Sequence, residues 1–355
     1  MTEEKLLIEN NQLRNIIIQQ QLELAKYKSI KQVSSMSFTN CYDLWLKSQK
    51  KKIQSSTYHE YVSIYKRDIK PYFENYNLSD ITSGDIEAFY QSKLSQGLSV
   101  HTVHRMHANL FTMFKFAITN DKLLVNPFDK VTRPKDNYQY IANYYNIDQL
   151  IELINISRSN KIFPAILFAA ILGLRRSEIL GLKWDAINFN NKCLMVKRKV
   201  TRNKSLKKDE LSNNLKTQAS YRTLPLPHVL QTYLCKLKEL QSTRAQSYDY
   251  CKTYLDYICV DSSGKLLTLN TITNSFRYLI QVNGFPKIRF HDLRHSCATM
   301  LIHLGYSMKE IQMWLGHSNY NTTAKFYTHI SLDDKTRMAN KLNDVFSNIV
   351  RDLSE

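Results

Sequence analysis

The chain has 355 residues, of which 43% are hydrophobic, so it is long enough to bury one sizeable core and is expected to bury two. Its formal net charge of +18 favours a polyanionic partner, most often nucleic acid, although charge alone is also compatible with a solvated basic surface. The six cysteines include no Cys-x-x-Cys pair, the longest apolar run (162–174) is too short to cross a bilayer, and the amino terminus is acidic and polar, which argues against a zinc site, a membrane span and a secretory signal.

The first 33 residues are predicted to form one helix, because residues 2–30 contain neither glycine nor proline. Seven residues in it recur in alternating steps of four and three, which is the seam spacing of a coiled coil. They are Leu6, Asn10, Leu13, Ile17, Gln20, Leu24 and Tyr27. Two interpretations stay open: a coiled coil that self-associates, or an amphipathic helix that packs on its own protein.

Residues 36–130 have the apolar periodicity of a compact domain made of four helices. Thr82 or Ser83 is the expected cap of the third helix, and Ser99 begins the fourth. Several cations lie on these helices and are candidate phosphate contacts, although each one alone is equally compatible with a solvated side chain. They are Lys66, Arg67, Lys70, Arg105 and Lys115. Residues 131–145, with Pro134 among charged residues, are predicted to be a linker.

A larger domain is predicted over residues 146–335. It begins with an amphipathic helix (147–156) and a fully apolar one (162–172), and the segment Gly173-Leu174-Arg175-Arg176-Ser177-Glu178 follows. Arg176 is expected at the surface. Glu178 is expected either to orient a neighbouring polar group or to serve the fold alone.

Beyond Trp184 the periodicity changes to two, which predicts short strands with a turn at residues 190–191, and another strand over 257–260. The segment 197–216 contains eight Lys or Arg residues against two acids, and Arg202 within it is a candidate DNA contact. It ends at Lys216-Thr217, shortly before the predicted strand that contains Arg222-Thr223-Leu224-Pro225. Arg277, on a later predicted helix (271–282), is a second candidate DNA contact.

The stretch 291–327 concentrates polar side chains on short predicted helices. His291, Arg294 and His295 share one face of a helix, since residues three and four apart are neighbours. The same helix has a predicted buried stripe made of Leu293, Cys297, Met300, Leu301 and Leu304. A second helix has the capping-box pair Ser307 and Glu310 and a left-handed stop at Gly316. His317 follows directly, and Tyr327 lies on a third helix. A guanidinium, imidazoles and a phenol held in this way are suited to holding a phosphate and attacking it.

These motifs resemble those of the tyrosine recombinase (phage integrase) family over about residues 37–350. The second box of the family is matched by His291 and Arg294, by Leu315-Gly316-His317 and by Tyr327, and the first box by residues 173–178. The interval of ten residues from His317 to Tyr327 is similar to that of phage and transposon integrases. The implied fold is mainly α with a small β-sheet. It consists of the N-terminal helix, an all-helical core-binding domain and an α+β catalytic domain, the two domains forming a C-shaped clamp.

The resemblance implies a site-specific recombinase that cleaves and rejoins DNA through a 3′-phosphotyrosyl intermediate, for integration or excision of a mobile element. The implied catalytic residues are Arg175, Lys216, His291, Arg294, His317 and Tyr327. Tyr327 is the nucleophile, Arg175 and Arg294 hold the non-bridging oxygens, and His291 and His317 assist. Lys216 is the general acid, with Lys207 and Lys208 as rivals on the same segment. His295 is expected to be a packed or supporting residue.

The implied partners are double-stranded DNA at specific sites and further copies of the chain, a dimer on one site and a tetramer in the synapse. An accessory protein that sets direction is a candidate partner. No cofactor, metal or membrane is expected, and the expected location is the cytoplasm, associated with the nucleoid. The helical tail (336–355) either docks on a neighbouring protomer, as the resemblance implies, or packs on its own domain. In place of the separate arm-site domain of many mobile-element integrases, the chain has the N-terminal helix.

Three other classes of protein share part of this pattern. A metal-dependent nuclease or transposase would need three carboxylates grouped around divalent ions, and acids such as Asp185, Asp256 and Asp292 show no such grouping in the sequence. A non-catalytic DNA-binding regulator would need the basic surface but not the whole catalytic set. A type IB topoisomerase uses similar chemistry, and joining of two specific duplexes would distinguish a recombinase from it.

Overall fold

The computed structural model describes residues 14, 17–21, 36–136, 143–203, 208–212 and 221–316. The chain divides into two compact units, Met1–Gln139 and Tyr140–Glu355. Both are built mainly from helices, with small sheets in the second, which confirms the predicted fold class. No helix among the described residues is long and apolar enough to cross a membrane.

Residues 36–136 of the N-terminal unit contain five α-helices. They are α1 (Phe38–Gln49), α2 (Ser55–Ile64), α3 (Lys70–Phe73), α4 (Ser83–Ser95) and α5 (Val100–Thr119). A π-helical turn, Tyr65–Ile69, joins α2 to α3. Thr82 is the cap of α4 and forms a capping box with Asp85, and Ser99 caps α5, as the sequence predicts.

Aromatic side chains dominate the core of this unit. Phe38, Tyr42 and Trp45 of α1 are at most 1% exposed and pack with buried rings from the other helices. The ring of Tyr42 stacks on that of Tyr65 at 3.9 Å, and its hydroxyl donates to Asn109 Oδ1 at 2.5 Å. Large buried rings supply much apolar area in a small unit, which is what holds these short helices together.

Only part of the predicted N-terminal helix is described. Residues 14 and 17–21 are helical, and Ile17 and Ile18 are 51% and 54% exposed. Of the seam residues, Ile17 and Gln20 are described and both are exposed, and the other five lie outside the described residues, so self-association through a coiled coil stays a prediction. The predicted tail (336–355) also lies outside them.

The C-terminal unit contains seven α-helices in its described part. They are α6 (Ile147–Ile156), α7 (Phe163–Leu172), α8 (Arg176–Leu180), α9 (His228–Arg244), α10 (Leu269–Val282), α11 (Asp292–His303) and α12 (Met308–Leu315). Helix α7 is apolar on every side because it runs through the core, and it packs against α11. The predicted Ser307 and Glu310 capping box begins α12, and Gly316 ends it with a φ of 67°.

Five strands form two small antiparallel sheets in the described residues. They are β1 (Ile187–Asn188), β2 (Cys193–Val196), β3 (Lys199–Asn203), β4 (Lys208–Ser212) and β5 (Arg222–Pro225). The first sheet has the order β1-β2-β5, and the β3-β4 hairpin is inserted between β2 and β5. The pairing of Val196 with Arg222 fixes Arg222 at the end of the sheet from which that hairpin departs.

Two details differ from the prediction. Residues 257–260 form no continuous strand, because single backbone bonds tie them to different segments: Ile258 to Leu182, and Cys259 to Leu267. Leu304 is 59% exposed and does not extend the buried stripe of Leu293 and Cys297. Helix α11 ends at His303, so the stripe ends one turn earlier than its spacing suggests.

Gly173 is required where α7 ends. Its φ is 62°, and a Cβ at this position would collide with Leu315 Cδ2 of α12 and lie 3.3 Å from Cys297 Sγ of α11. Gly284, at the end of α10, has a φ of 70°, but nothing lies within 4 Å of the point where its Cβ would stand. The two glycines therefore share a backbone conformation and differ in their surroundings.

We expect Gly173→Ala to destabilise the protein more than Gly284→Ala. Both substitutions place an L residue in the left-handed region, at a cost of about 1–2 kcal/mol. Only the first also overpacks a buried contact, which adds roughly 1–3 kcal/mol. Urea unfolding of the two variants, compared with the parent by fluorescence and circular dichroism, measures the difference. Equal unfolding midpoints for the two variants would contradict the close approach of α12 to Gly173.

Candidate active site

Arg175 lies directly before α8 and bridges two parts of the chain. Its Nη1 donates to Glu178 Oε1 at 2.6 Å, and its backbone N–H donates to Glu178 Oε2 at 3.0 Å. Its Nη2 donates to the carbonyl of Gly316 at 3.2 Å. The side chain remains 32% exposed, so it is the more accessible of the two arginines Arg175 and Arg294.

Arg294 lies deeper, on α11, and is 2% exposed. Its Nη1 and Nη2 each donate at 2.6 Å, to the carbonyls of Gly173 and Leu315. Burial and the positive charge of Arg175 lower the pKa of this guanidinium well below its usual value. The carbonyl dipoles and the nearby carboxylate of Glu178 stabilise its charge in the absence of water.

Glu178 is the anion of this cluster and is 2% exposed. Burial opposes its ionisation, but the charges of Arg222 and Arg175, a hydrogen bond from Arg222 and the charge of Arg294 outweigh that effect and lower its pKa below the usual range. The carboxylate is therefore ionised at neutral pH. Of the two roles expected for Glu178, the contacts favour the orientation of a neighbouring polar group.

Arg222 joins the cluster, and the sequence pattern gave it no role beyond its place in a strand. Its Nη2 donates to Glu178 Oε2 at 3.1 Å and its Nε to the carbonyl of Trp314 at 3.0 Å, with a side chain that is 6% exposed. One signal was available in the sequence. Arg222 lies two residues before the apolar Leu224 on β5, so the two side chains point to the same side of the strand, toward the core. A buried arginine needs a buried hydrogen-bond acceptor.

His291 and His295 lie at the start of α11. Burial, with the charges of His295 and Arg294, lowers the pKa of His291 to about 4, so its imidazole is neutral at neutral pH. The ring of His295 contacts that of His291 edge-on at 5.4 Å, and its Nε2 lies 3.7 Å from the buried Asp292 carboxylate. His295 thus lies between His291 and Asp292, where it supports the first ring.

The structure brings Arg175, His291 and Arg294 together, whereas Lys216, His317 and Tyr327 lie outside the described residues. The chain leads to two of these positions from defined places. Lys216 precedes Arg222 by six residues, and His317 directly follows Gly316, whose carbonyl is held by Arg175. The rival Lys207 is also outside the described residues, and the backbone of Lys208 pairs with Asn203 at the turn end of the β3-β4 hairpin.

Arg176 is not the surface residue that its position next to Arg175 suggests. It is half-buried, and its Nη1 donates to the carbonyl of Leu269 at 3.1 Å and to the hydroxyl of Thr273. It therefore fastens α8 to the first turn of α10 and faces away from the contacts made by Arg175.

The candidate DNA contacts are all at the surface, but several are already paired. Lys66, Lys70, Lys115 and Arg277 are exposed. Three others form ion pairs: Arg67 with Asp68, Arg105 with Glu60, and Arg202 with Asp209. Of these three pairs, that of Arg105 with Glu60 is exposed at both side chains and therefore contributes little to stability, whereas the side chains of Asp68 and Asp209 are only 7% and 10% exposed.

The described residues contain no group of three or more histidine, cysteine, aspartate or glutamate side chains that could hold a metal ion. All six cysteines lie in the described ranges as free thiols, and Cys41, Cys259 and Cys297 are buried.

Comparison with known proteins places this site in a family. Residues 144–333, more than half of the chain, match the model of the phage integrase family, and residues 37–95 match the phage integrase N-terminal SAM-like domain. The chain belongs to the phage integrase family. It is a site-specific recombinase of the tyrosine type.

Two curated relatives of this recombinase illustrate the range of similarity. A tyrosine recombinase XerC-like protein of Caldanaerobacter subterraneus is 28% identical over 287 residues, which are 76% of this chain and 72% of that protein. The ICEBs1 integrase of Bacillus subtilis is 26% identical over 318 residues, covering 88% of this chain and 84% of the relative.

Solved structures share the fold of the recombinase. The Tn1549 transposon integrase in complex with a circular intermediate DNA superposes with a TM-score of 0.72 and 20% identity, covering 87% of this chain and 100% of that one. A lambda integrase dimer bound to a COC′ core site gives a TM-score of 0.60 and 17% identity, covering 82% of this chain and 95% of that one.

We expect His291 to stay neutral in the DNA-free recombinase down to well below pH 6, because its pKa is lowered to about 4. An ordinary histidine is half protonated near pH 6.5. A pH titration of the ring nitrogens by ¹⁵N-edited NMR, with resonances assigned by comparison with His291→Gln, measures this. Protonation of His291 with a midpoint near 6.5 would contradict its burial between His295 and the arginines.

Proposed function

We propose that this recombinase cleaves and rejoins specific DNA sites through a 3′-phosphotyrosyl link to Tyr327, and that it integrates or excises a mobile element. The observation that supports the chemistry most is the convergence of Arg175 and Arg294 on the last residues of α12. Both guanidinium groups hydrogen-bond to carbonyls immediately before His317. A phosphodiester bound there would meet two cationic forks at once.

The charge of the cluster suits an anionic substrate. Arg175, Arg222 and Arg294 contribute three positive charges and Glu178 one negative charge, which leaves a formal +2 with His291 neutral. Charge develops on the non-bridging oxygens as phosphorus becomes pentavalent, and donors already held in place stabilise it without reorganising. Removal of one such donor typically costs a factor of about 10²–10³ in rate.

The proposed reaction proceeds in two balanced steps. In cleavage, the Tyr327 oxygen attacks phosphorus and gives its proton to neutral His291, while the bond from phosphorus to the 5′ oxygen breaks and Lys216 protonates that oxygen. In rejoining, a 5′ hydroxyl gives its proton to Lys216 and attacks phosphorus, the bond from phosphorus to the Tyr327 oxygen breaks, and His291 returns the proton to that oxygen. His317 holds a phosphate oxygen throughout. The phosphotyrosyl link retains the energy of the original ester bond, so no nucleotide cofactor is needed.

The proposed partners are double-stranded DNA and further copies of the chain. The relatives include integrases of ICEBs1 and Tn1549, which supports a role on a mobile element. Lambda integrase, which shares the fold, has been solved as a dimer on a core site and as a tetramer on a Holliday junction. We extend to this chain a dimer on one site, a tetramer in the synapse, a location on the nucleoid in the cytoplasm and an accessory protein that sets direction.

We expect Tyr327→Phe to bind its DNA about as tightly as the parent and to form no covalent adduct, because the lost oxygen is the nucleophile and adds little to affinity. Incubation with a nicked site, followed by a denaturing gel, detects the adduct, and a gel shift measures the affinity. Tyr320→Phe is the matched control and should form the adduct normally. An adduct with Tyr327→Phe and none with Tyr320→Phe would move the nucleophile to Tyr320.

We expect Lys216→Ala to cleave ordinary DNA slowly and to recover most of its rate on a substrate with a 5′-bridging sulfur, because a thiolate leaves without a general acid. Single-turnover cleavage rates on the two substrates test this. Lys207→Ala and Lys208→Ala serve as controls and should cleave ordinary DNA like the parent. Equal defects of Lys216→Ala on both substrates would assign that lysine to DNA positioning.

A further inference from the structure

The end of α12 is held in an unusual way. The last carbonyls of a helix have no partner within it and carry partial negative charge. Here the carbonyls of Trp314, Leu315 and Gly316 each accept a hydrogen bond from a different arginine. The donors are Arg222, Arg294 and Arg175 in that order, at 3.0, 2.6 and 3.2 Å. Three guanidinium groups thus hold the backbone carbonyls of residues 314–316, which directly precede residue 317.

Arg222 is nearly as buried as Arg294 and much less accessible than Arg175. Its side chain is 6% exposed, against 2% for Arg294 and 32% for Arg175. Among the described contacts, Arg294 donates to two carbonyls, and Arg222 donates to a carbonyl and to a carboxylate. The Oε2 atom of Glu178 accepts the hydrogen bond from Arg222, and the Oε1 atom accepts one from the side chain of Arg175. Arg222 therefore acts on the same carboxylate that aims the exposed arginine.

The position of Arg222 is itself determined by the sheet. It pairs with Val196 of β2, and its side chain reaches α8 through Glu178 and α12 through Trp314. The planar guanidinium of Arg222 thus connects β5 with α8 and α12, through residues that are 44 and 92 positions away in the chain. A lysine in its place would keep the charge but lose the rigid divergence of the two donors.

We propose that Arg222 is a positioning residue of the recombination reaction: it fixes Glu178 and the end of α12, and through them the orientation of Arg175 and the placement of His317 against the scissile phosphate. This inference rests on the function proposed above. Arg222 itself does not touch the phosphate. Its removal should therefore slow the chemical step and leave DNA binding almost intact.

The pH dependence follows from the groups that face Glu178. They are Arg175 directly before α8, Arg222 on β5 and Arg294 on α11. Without Arg222, the burial of Glu178 still favours its neutral form, and only the charges of Arg175 and Arg294 oppose that effect. The Glu178 pKa then rises, and as pH falls Glu178 becomes protonated and releases Arg175. The defect of an Arg222 variant should accordingly grow toward low pH and shrink toward high pH.

The test compares Arg222→Met and Arg222→Lys with a matched control, Arg198→Met. Arg198 pairs with the carboxylate of Asp185 through both Nη atoms at 2.7 Å, so its variant also loses a paired arginine next to the sheet, but no contact of α12. Single-turnover cleavage of a nicked site at saturating DNA is followed from about pH 6 to about pH 9. Gel-shift affinity and thermal unfolding are measured on the same preparations.

Arg222→Met should cleave about 10- to 100-fold more slowly than the parent near pH 7, the size of effect expected when reacting groups are misplaced by about 1 Å. Its defect should decrease as pH rises, its DNA affinity should stay close to that of the parent, and Arg222→Lys should be intermediate. Arg198→Met should cleave like the parent.

Three results would overturn the proposal: cleavage by Arg222→Met at the rate of the control, a defect that does not change with pH, or a loss of affinity as large as the loss of rate. If Arg222→Met fails to fold, Arg222→Lys decides, and parental rates at every pH would count against the role. A failure of the proposed function can be distinguished from a failure of this inference, because in that case the parent protein itself would form no adduct at Tyr327.

Discussion

The buried carboxylate of Glu178 is the interaction on which the rest of the site depends. An unpaired charge in the interior costs several kcal/mol, so Glu178 is tolerable there only because guanidinium groups surround it. The reverse also holds, since Arg222 and Arg294 are almost fully buried and would repel each other and Arg175 without an anion among them. The charges are not balanced, however, and the surplus of positive charge is what a phosphodiester would neutralise.

Packing brings these charges together. Helix α7 is apolar on all sides and supplies the wall against which α11 lies. At the end of α7, Gly173 turns in a conformation that a side chain would disfavour, and the space beside it is filled by Leu315 and Cys297. Arg294 donates a hydrogen bond to the carbonyl of that same glycine. The cations of the candidate active site are therefore held by a closely packed junction of helix ends, which gives a more rigid support than a loop does.

The N-terminal unit shows a different use of charge. Its cations lie at the surface, some beside carboxylates, around a core made largely of aromatic rings. Arg67 lies in a π-helical turn, an arrangement that is common at functional positions in helices. If exposed cations of this kind contact DNA, their contribution to affinity depends on salt and is independent of sequence. The buried cations of the candidate active site are instead fixed in direction by their hydrogen bonds.

Much of the architecture could be predicted from the sequence because the signals are local. The caps at Thr82 and Ser307, the left-handed stop at Gly316 and the apolar helix α7 each depend on residues within a few positions of one another. The spacing of His291 and Arg294 likewise places both at the start of one helix. Arg175 was identified through its motif, and the structure brings it to Arg294 as that motif implies.

Other features were decided only by tertiary structure. The burial of Arg176 against α10, the exposure of Leu304 and the ion pairs of Arg67, Arg105 and Arg202 did not follow from periodicity or charge. The role of Arg222 is the clearest case, because its acceptors lie 44 and 92 residues away. Local spacing determines how a helix begins and which face it buries, but a buried charge is defined by its partners. Those partners are brought together only when the sheet and the helix ends pack.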